Sequence, residues 1–384
     1  MTPLPVINPD INFIKSLKKN GADTLKKCFQ CSTCSSVCNL SPSRKPFPRK
    51  VMLLAQWGQA DKLASSPDIW LCHQCEDCST HCPRGARPGD VLAAVRSHIF
   101  RTFSYPSFMG KALSQPGYLP LLLLFPMLLI AVLFFIYRGG NFSLLHEEIS
   151  YSKFLSHLWI NVMFIGGNIL MFFLAFLGLG KFWRKLKEGA GTDSKSSFVK
   201  AALLTVIDIV FHKKFFKCKV NQGRNIAHLL IFFGFFGAMA TAGLAVLAMI
   251  LYNVDPNLPF SQMPPIPMNH PIKWLGNISG LAGIAGLAII IIRRIKSETN
   301  TYGDWIFLLM LLLVFITGFG SQFIRQAHLV LFAYLTYYIH LVCVFFILWY
   351  APYSKFAHMF YRTVALIFTT MISSEPGKSS GPRE

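Results

Sequence analysis

The sequence predicts an all-α fold in two parts, a small cysteine-rich helical domain followed by a six-helix membrane bundle. Three observations predict it. Eight of the ten cysteines fall between residues 28 and 82. Hydrophobic residues make up 53% of the 384-residue chain and charged ones only 14%, with a mean hydropathy of +0.45, whereas soluble domains carry about 25% charged residues. Beyond residue 105, six apolar runs are long enough to cross the hydrocarbon core, which takes about 20 helical residues. The expected units are residues 1–105, a membrane domain over 106–365 and a tail over 366–384.

The cysteines form two quartets at one spacing, Cys28-x2-Cys31-x2-Cys34-x3-Cys38 and Cys72-x2-Cys75-x2-Cys78-x3-Cys82-Pro83. Three thiolates at x2 spacing can wrap one cubane, and the fourth cysteine is directed to the other cluster. That logic predicts two [4Fe–4S] clusters. One uses Cys28, Cys31, Cys34 and Cys82, and the other Cys72, Cys75, Cys78 and Cys38. Tetrahedral zinc needs only paired Cys-x2–4-Cys arms and leaves a third and fourth cysteine unexplained. A disulfide framework fits less well, because x2 neighbours pair badly and no apolar leader precedes Cys28, which points to a cytoplasmic domain.

Around the quartets the pattern is helical. Residues 10–27 and 51–57 read as helices, and Asp90 reads as the N-cap of a helix over 91–103. His73 and His81 stand among cysteine sets that are already complete, so they are neighbours of sulfur rather than ligands. Exposed charge at Lys45, Arg84 and Arg87 could serve docking, with an ordinary solvated face the simpler reading.

The spans are placed at residues 119–137, 158–180, 226–251, 272–292, 305–324 and 329–351. Trp159, Trp183, Trp274, Trp305, Trp349 and Tyr353 fall near their ends, as an interfacial aromatic belt requires. Residues 198–211 are apolar but short, and carry Lys200 and Asp208, so they read as a surface helix. The formal charge of +20 would suggest nucleic acid in a soluble protein. Here the excess follows topology. Eleven Lys and Arg lie in residues 181–225, and Arg293, Arg294, Lys296, Lys355 and Arg362 lie on the same side. Both termini are therefore expected inside, and no nucleic acid is expected as partner.

Ionisable residues in spans are functional candidates by default. His340 lies inside the sixth span, with His358 eighteen residues later. On one continuous helix the two would share a face about 27 Å apart, although Pro352 between them can bend it. His228 opens the third span at the depth of His358, and the two can ligate one haem b iron between them. A second haem on His340 lacks an evident partner. His157, His270 and His328 lie toward the outer face, with His270 ranked first, although it could equally serve a quinone site or cap the fourth span. Cys343 reads as a small hydrophobe. The sequence assigns no role to His146, His212 or Cys218.

Both halves resemble known families. Residues 1 to about 105 look like the C subunit of heterodisulfide reductase, through the frame Ile69-Trp-Leu-Cys-His-Gln-Cys-Glu-Asp-Cys-Ser-Thr-His-Cys-Pro83. The remainder resembles the cytochrome b subunits typified by the gamma subunit of respiratory nitrate reductase. That family carries two haem-ligating histidines eighteen apart, matched by His340 and His358 within Tyr350-Ala-Pro-Tyr-Ser-Lys-Phe-Ala-His-Met-Phe-Tyr-Arg362. The fusion is similar to the C subunits of the quinone-interacting membrane-bound oxidoreductase complexes of sulfate reducers. Two departures stand out. The first quartet continues Asn39-Leu-Ser-Pro42 instead of meeting proline directly. Ten residues beyond His228, where the nitrate reductase relatives have a second ligand, stands Ala238, which cannot ligate. The resemblance thus implies two b haems, of which one carries over residue by residue.

What the resemblance implies is a membrane electron carrier. Menaquinol would be oxidised among the spans near His340, and electrons would pass by haem and clusters to heterodisulfide-reductase-A-like flavoprotein subunits that serve adenylylsulfate reductase. The chain shows no dinucleotide fingerprint or catalytic nucleophile, so it reads as an electron-carrying subunit. The nearest alternative is an equivalent subunit of a heterodisulfide or sulfite-reduction complex. From another class comes a zinc-binding membrane adaptor or transporter, which would be colourless and for which no internal repeat speaks.

Overall fold

A computed structural model describes residues 7–42, 46–141, 148–190, 196–212, 222–296 and 301–372. His146, Cys218 and Lys45 lie outside them. Among the described residues there is no β-strand. The first longer helix, α1 (Ile11–Lys19), starts where Asp10 accepts a hydrogen bond from Phe13 N at 2.9 Å, and it buries Phe13 and Leu17, one turn apart. The helical run expected to Lys27 is interrupted at Gly21 (φ +97°) and resumes as a 3₁₀ turn over Asp23–Lys27. Helix α2 (Pro48–Gln56) buries Val51, Met52 and Ala55.

Helix α3 (Pro88–Phe103) begins two residues before the expected cap. Proline fixes φ and needs no N–H at the first helical position. Asp90 therefore sits inside the first turn, where it pairs with Arg87 at 2.6 Å.

Six helices are long and apolar enough to cross a membrane: Pro116–Arg138, His157–Ala190, Gly223–Val254, Pro271–Ile295, Tyr302–Gln326 and Val330–Trp349. The first five each cover an expected span, and the sixth falls within the expected 329–351, one residue short at its start and two at its end. Within them, α4 (Leu119–Arg138) carries Pro126 in its interior, and α5 (Gly167–Ala190) follows a π-turn at Val162–Gly166. The apolar piece after it is α6 (Phe198–Val210), too short to span. Then α7 (Gln222–Val254) and α8 (Pro271–Ile295) meet backbone to backbone. A Cβ on Gly234 would stand 2.7 Å from Gly283 N, and one on Gly286 2.7 Å from Ala227 O. Small residues let membrane helices approach this closely. Helices α9 (Tyr302–Gln326) and α10 (Val330–Trp349) form a tight hairpin turned at His328, whose φ is +55°.

The sixth span does not continue to His358. Helix α10 stops at Trp349, a 3₁₀ turn covers Ala351–Tyr353, and α11 (Ala357–Ile372) starts afresh. His340 and His358 therefore stand on different helices, and the facing expected of a single helix does not apply. Pro352, which lacks an N–H for the ladder, lies in the break. Helix α11 packs on α5, α6 and α3 and runs past residue 365, where the membrane domain was expected to end.

Through α11 the two parts share one core. Trp70 is fully buried and stacks on Tyr361 at 6.0 Å between ring centroids, with Phe182 at its edge at 5.7 Å. Leu186, Ala365 and Phe368 belong to the same buried cluster as Phe13, Leu17 and Val95 of the cysteine domain. The cysteine domain thus sits on the end of the bundle that carries Arg224, Arg294, Lys355 and Arg362, the basic end.

Candidate metal centres

Both cysteine loops are built the same way. Gln30 and Ser32 in the first, and Gln74 and Glu76 in the second, take positive φ between 54° and 72°. These are the second and fourth residues after each leading cysteine. Left-handed residues so placed curl a loop around a centre and turn its amides inward. Short helices follow at equivalent positions, Thr33–Ser36 and Asp77–Thr80, and each buries the third cysteine, Cys34 or Cys78. Gln74 N donates to Cys72 Sγ at 3.2 Å and Ala86 N to Cys82 Sγ at 3.3 Å. Such hydrogen bonds are one lever on cluster potentials.

The quartets interlock. Cys28, Cys31, Cys34 and Cys82 line one small pocket, together with Arg49 and Arg84. Burial, and after it the neighbouring thiols of Cys28, Cys31 and Cys82, push the Cys34 thiol up to about 11. Burial, then Cys72 and Cys75, push Cys38 up to about 12. Cys78 is raised by burial and then by Cys72, Cys38 and Cys75. Cys31 is the exposed member, and its thiol is lowered, chiefly by a hydrogen bond with Thr33. Among the described residues, no three His, Cys, Asp or Glu side chains converge tightly enough for a single metal ion.

Residues 24–86 match the model of the 4Fe-4S dicluster domain. The chain carries an iron–sulfur electron-transfer domain. The C subunit of the H(2):CoB-CoM heterodisulfide,ferredoxin reductase of Methanothermobacter marburgensis is 36% identical over 111 residues, which are 29% of this chain and 57% of that protein. A protein of Archaeoglobus profundus that is like the C subunit of heterodisulfide reductase is 35% identical over 98 residues, 25% of this chain and 52% of that one. The chain thus spans little more than half the length of these relatives. Citrate utilization protein B of Escherichia coli is 26% identical over 387 residues, covering 93% of both chains. No solved structure matches the chain.

Besides the shared core, one cysteine loop is hydrogen-bonded to the bundle. Arg362 of α11 donates to Cys72 O at 3.0 Å and lies 2.7 Å from His73 Nε2. Arg96 of α3 donates to the same Cys72 carbonyl at 3.2 Å and to Ile69 O at 3.0 Å, and Arg224 of α7 donates to Gln74 O. His73, expected to be a neighbour of sulfur, is thus part of this contact.

An open cavity of about 2760 Å³ runs from the underside of the cysteine domain, past the Cys72–Gln74 loop, in among α6, α7, α8, α9 and α11, larger than ordinary ligand pockets of about 300–1,000 Å³. His228 and His358 both line it, with apolar walls from Ile231, Phe235, Leu287 and Phe346. The Nδ1–H of His358 donates to Lys355 O. Its Nε2 therefore keeps a lone pair, as an iron ligand requires. At the dicluster end, Arg294 and Lys355 share the carboxylate of Asp304.

His212, which the sequence left unassigned, lies in the same cavity with its ring centroid 5.4 Å from that of His228. Its Nδ1 lies 3.1 Å from Val210 O, so its Nε2 is also left as acceptor. The sequence signal was weak, a histidine at the end of a short apolar helix. His340 is elsewhere and does not line the cavity. Thr317 Oγ1 gives its proton to Leu313 O and so accepts from His340 Nδ1 at 3.0 Å, while Gly318 leaves room for the ring. His270 caps α8, its Nδ1 accepting from Ile272 N at 3.2 Å. That tautomer carries its proton on Nε2, so the capping alternative is the one displayed. His157 starts the helix that leads into the second span, and His328 turns the α9–α10 hairpin.

Proposed function

We propose that the chain is a quinone-linked membrane subunit whose cofactors are a b haem held by His228 and His358 and two [4Fe–4S] clusters held by the interlocked cysteine sets. The observation that carries this reading is a pair of helical turns. On α7, Arg224 and His228 are four residues apart, and on α11 so are His358 and Arg362. Each helix therefore offers a histidine to the cavity and, one turn away, an arginine to the Cys72–Gln74 loop. The residues fit both groups, by the tautomer of His358, the apolar walls, the inward amides and the wrapped thiols. When bound, such groups exchange one electron at a time between quinol chemistry in the bilayer and soluble redox proteins. The chain's own part is to orient ligands, bury the Cys72 loop against the bundle and exclude water between them. A second haem on His340 and His270 is not part of the proposal, because His270 Nδ1 is engaged as a cap.

The basic end of the bundle carries the dicluster domain, and the positive-inside rule favours a cytoplasmic position for it. The heterodisulfide reductase relatives support membership in a complex of that type, and the proposal extends this to flavin-bearing partners serving sulfate or disulfide reduction, with menaquinone as the pool. The full-length likeness to citrate utilization protein B favours a second reading, in which the same architecture serves a soluble enzyme of citrate use. Potentiometric titration of the purified protein, with and without a menaquinol analogue, tests the core of the proposal. Quinol should reduce a b-type haem signal first and cluster signals after it. A protein whose clusters reduce while no haem band responds would leave only an iron–sulfur protein anchored in a membrane.

A further inference from the structure

The cluster set of Cys28, Cys31, Cys34 and Cys82 faces away from the bundle. Among the described residues, the bundle's hydrogen bonds from Arg224 and Arg362 to the cysteine loops go to the Cys72 side. On the far side, Phe29 is 68% exposed although it sits between two cysteines of one set. The Arg84 guanidinium stacks over its ring at 4.1 Å. Arg49 also lines the pocket, and Lys26 and Lys27 stand exposed just before Cys28. Among the described residues, no Asp or Glu lines this pocket. By contrast, the Cys72 loop itself carries Glu76.

An exposed aromatic held flat by an arginine has no folding role to explain it. Aromatic and arginine side chains are the groups most enriched in binding hot spots. A ring of one charge sign steers partners of the other. We infer that Phe29, Cys31, Arg49 and Arg84 form the docking face for a soluble protein that presents carboxylates around its own redox centre. Phe29 is the anchor. The guanidinium groups orient the partner, and the exposed Cys31 edge is where the two centres approach. This rests on the proposed assignment of Cys28, Cys31, Cys34 and Cys82 to one cluster.

The test uses the full-length protein in nanodiscs, with flavodoxin as the acidic probe and cytochrome c as a basic control. Binding is read by surface plasmon resonance at about 20 and 200 mM salt, and EPR of the reduced protein reports both clusters. Flavodoxin should bind about tenfold more weakly at the higher salt, as rim charges screened within a Debye length of about 8–10 Å require. The double variant Arg49→Glu/Arg84→Glu should lose about tenfold or more at low salt, and Phe29→Ala should weaken binding at both salts. Cytochrome c should not bind this face. Lys62→Glu/Lys111→Glu, with the same change in net charge elsewhere, should bind as wild type. Equal loss in that control, or wild-type binding by the Arg49/Arg84 and Phe29 variants, overturns the proposal. Arg84→Gln serves if the double variant loses a cluster signal. Absence of both EPR signals in the wild-type protein would instead overturn the cluster assignment.

Discussion

Arg362→Gln should lower the reduction potential of one cluster and leave the other unchanged. The guanidinium donates to the Cys72 carbonyl at 3.0 Å, inside an interface that also buries Trp70 and Tyr361. Taken at about 8 Å from a bound cluster and at an effective dielectric constant of about 20, a unit charge would contribute about 2 kcal/mol to the more negative, reduced state. For a single electron that corresponds to about 90 mV, and solvent at the interface edge reduces it to about 50–90 mV. The sign follows from charge, since removing a cation destabilises the added electron. Arg362→Lys keeps the charge and should stay within about 20 mV of wild type. EPR-monitored redox titration separates the two signals, and the one that moves should be the one that Cys38→Ser removes. A shift in the other signal, or none in either with the protein intact, would refute the placement of the Cys72 loop against the bundle.

Further outcomes follow from the same geometry. Cys82→Ser should abolish the signal of the cluster that Cys28 also ligates, while Cys38→Ser should abolish the other, as EPR of each variant will report. A Cys82 change that instead removes the Cys72 cluster would mean the quartets do not interlock. His228→Ala and His358→Ala should each lose the b-haem absorbance with both clusters retained, and His212→Ala should keep it. Loss of haem in His212→Ala but not His358→Ala would reassign the second ligand. Gly58→Ala should cost about 1–3 kcal/mol in the thermal unfolding of the dicluster domain, because Gly58 has φ +64° and a Cβ there would stand 2.7 Å from Asp10 N.

The spans were legible because lipid imposes a length and a composition at once. An apolar run such as residues 305–324 has few other uses. The cysteine loops were legible because their spacing is local, and the positive φ at Gln30 and Gln74 follows from wrapping three thiols so closely. What escaped reading were contacts between distant segments. Arg224 and Arg362 read only as positive-inside bias, since nothing local ties them to Gln74 and Cys72. The break after Trp349 was signalled by Pro352, but the redirection of α11 onto the dicluster domain depends on Trp70 and Phe182, far off in sequence. His212 was missed for the same reason, because its neighbour His228 is brought to it by packing alone.

The most direct measurement is the amount of haem and non-haem iron per chain in the detergent-purified protein, taken with its reduced-minus-oxidised spectrum. The account predicts about eight non-haem irons, matching two cubanes, and a single b haem. Protein that is folded and carries the irons but no haem would contradict the role given to His228 and His358. Two haems per chain would mean that His340 has a partner other than the capping His270.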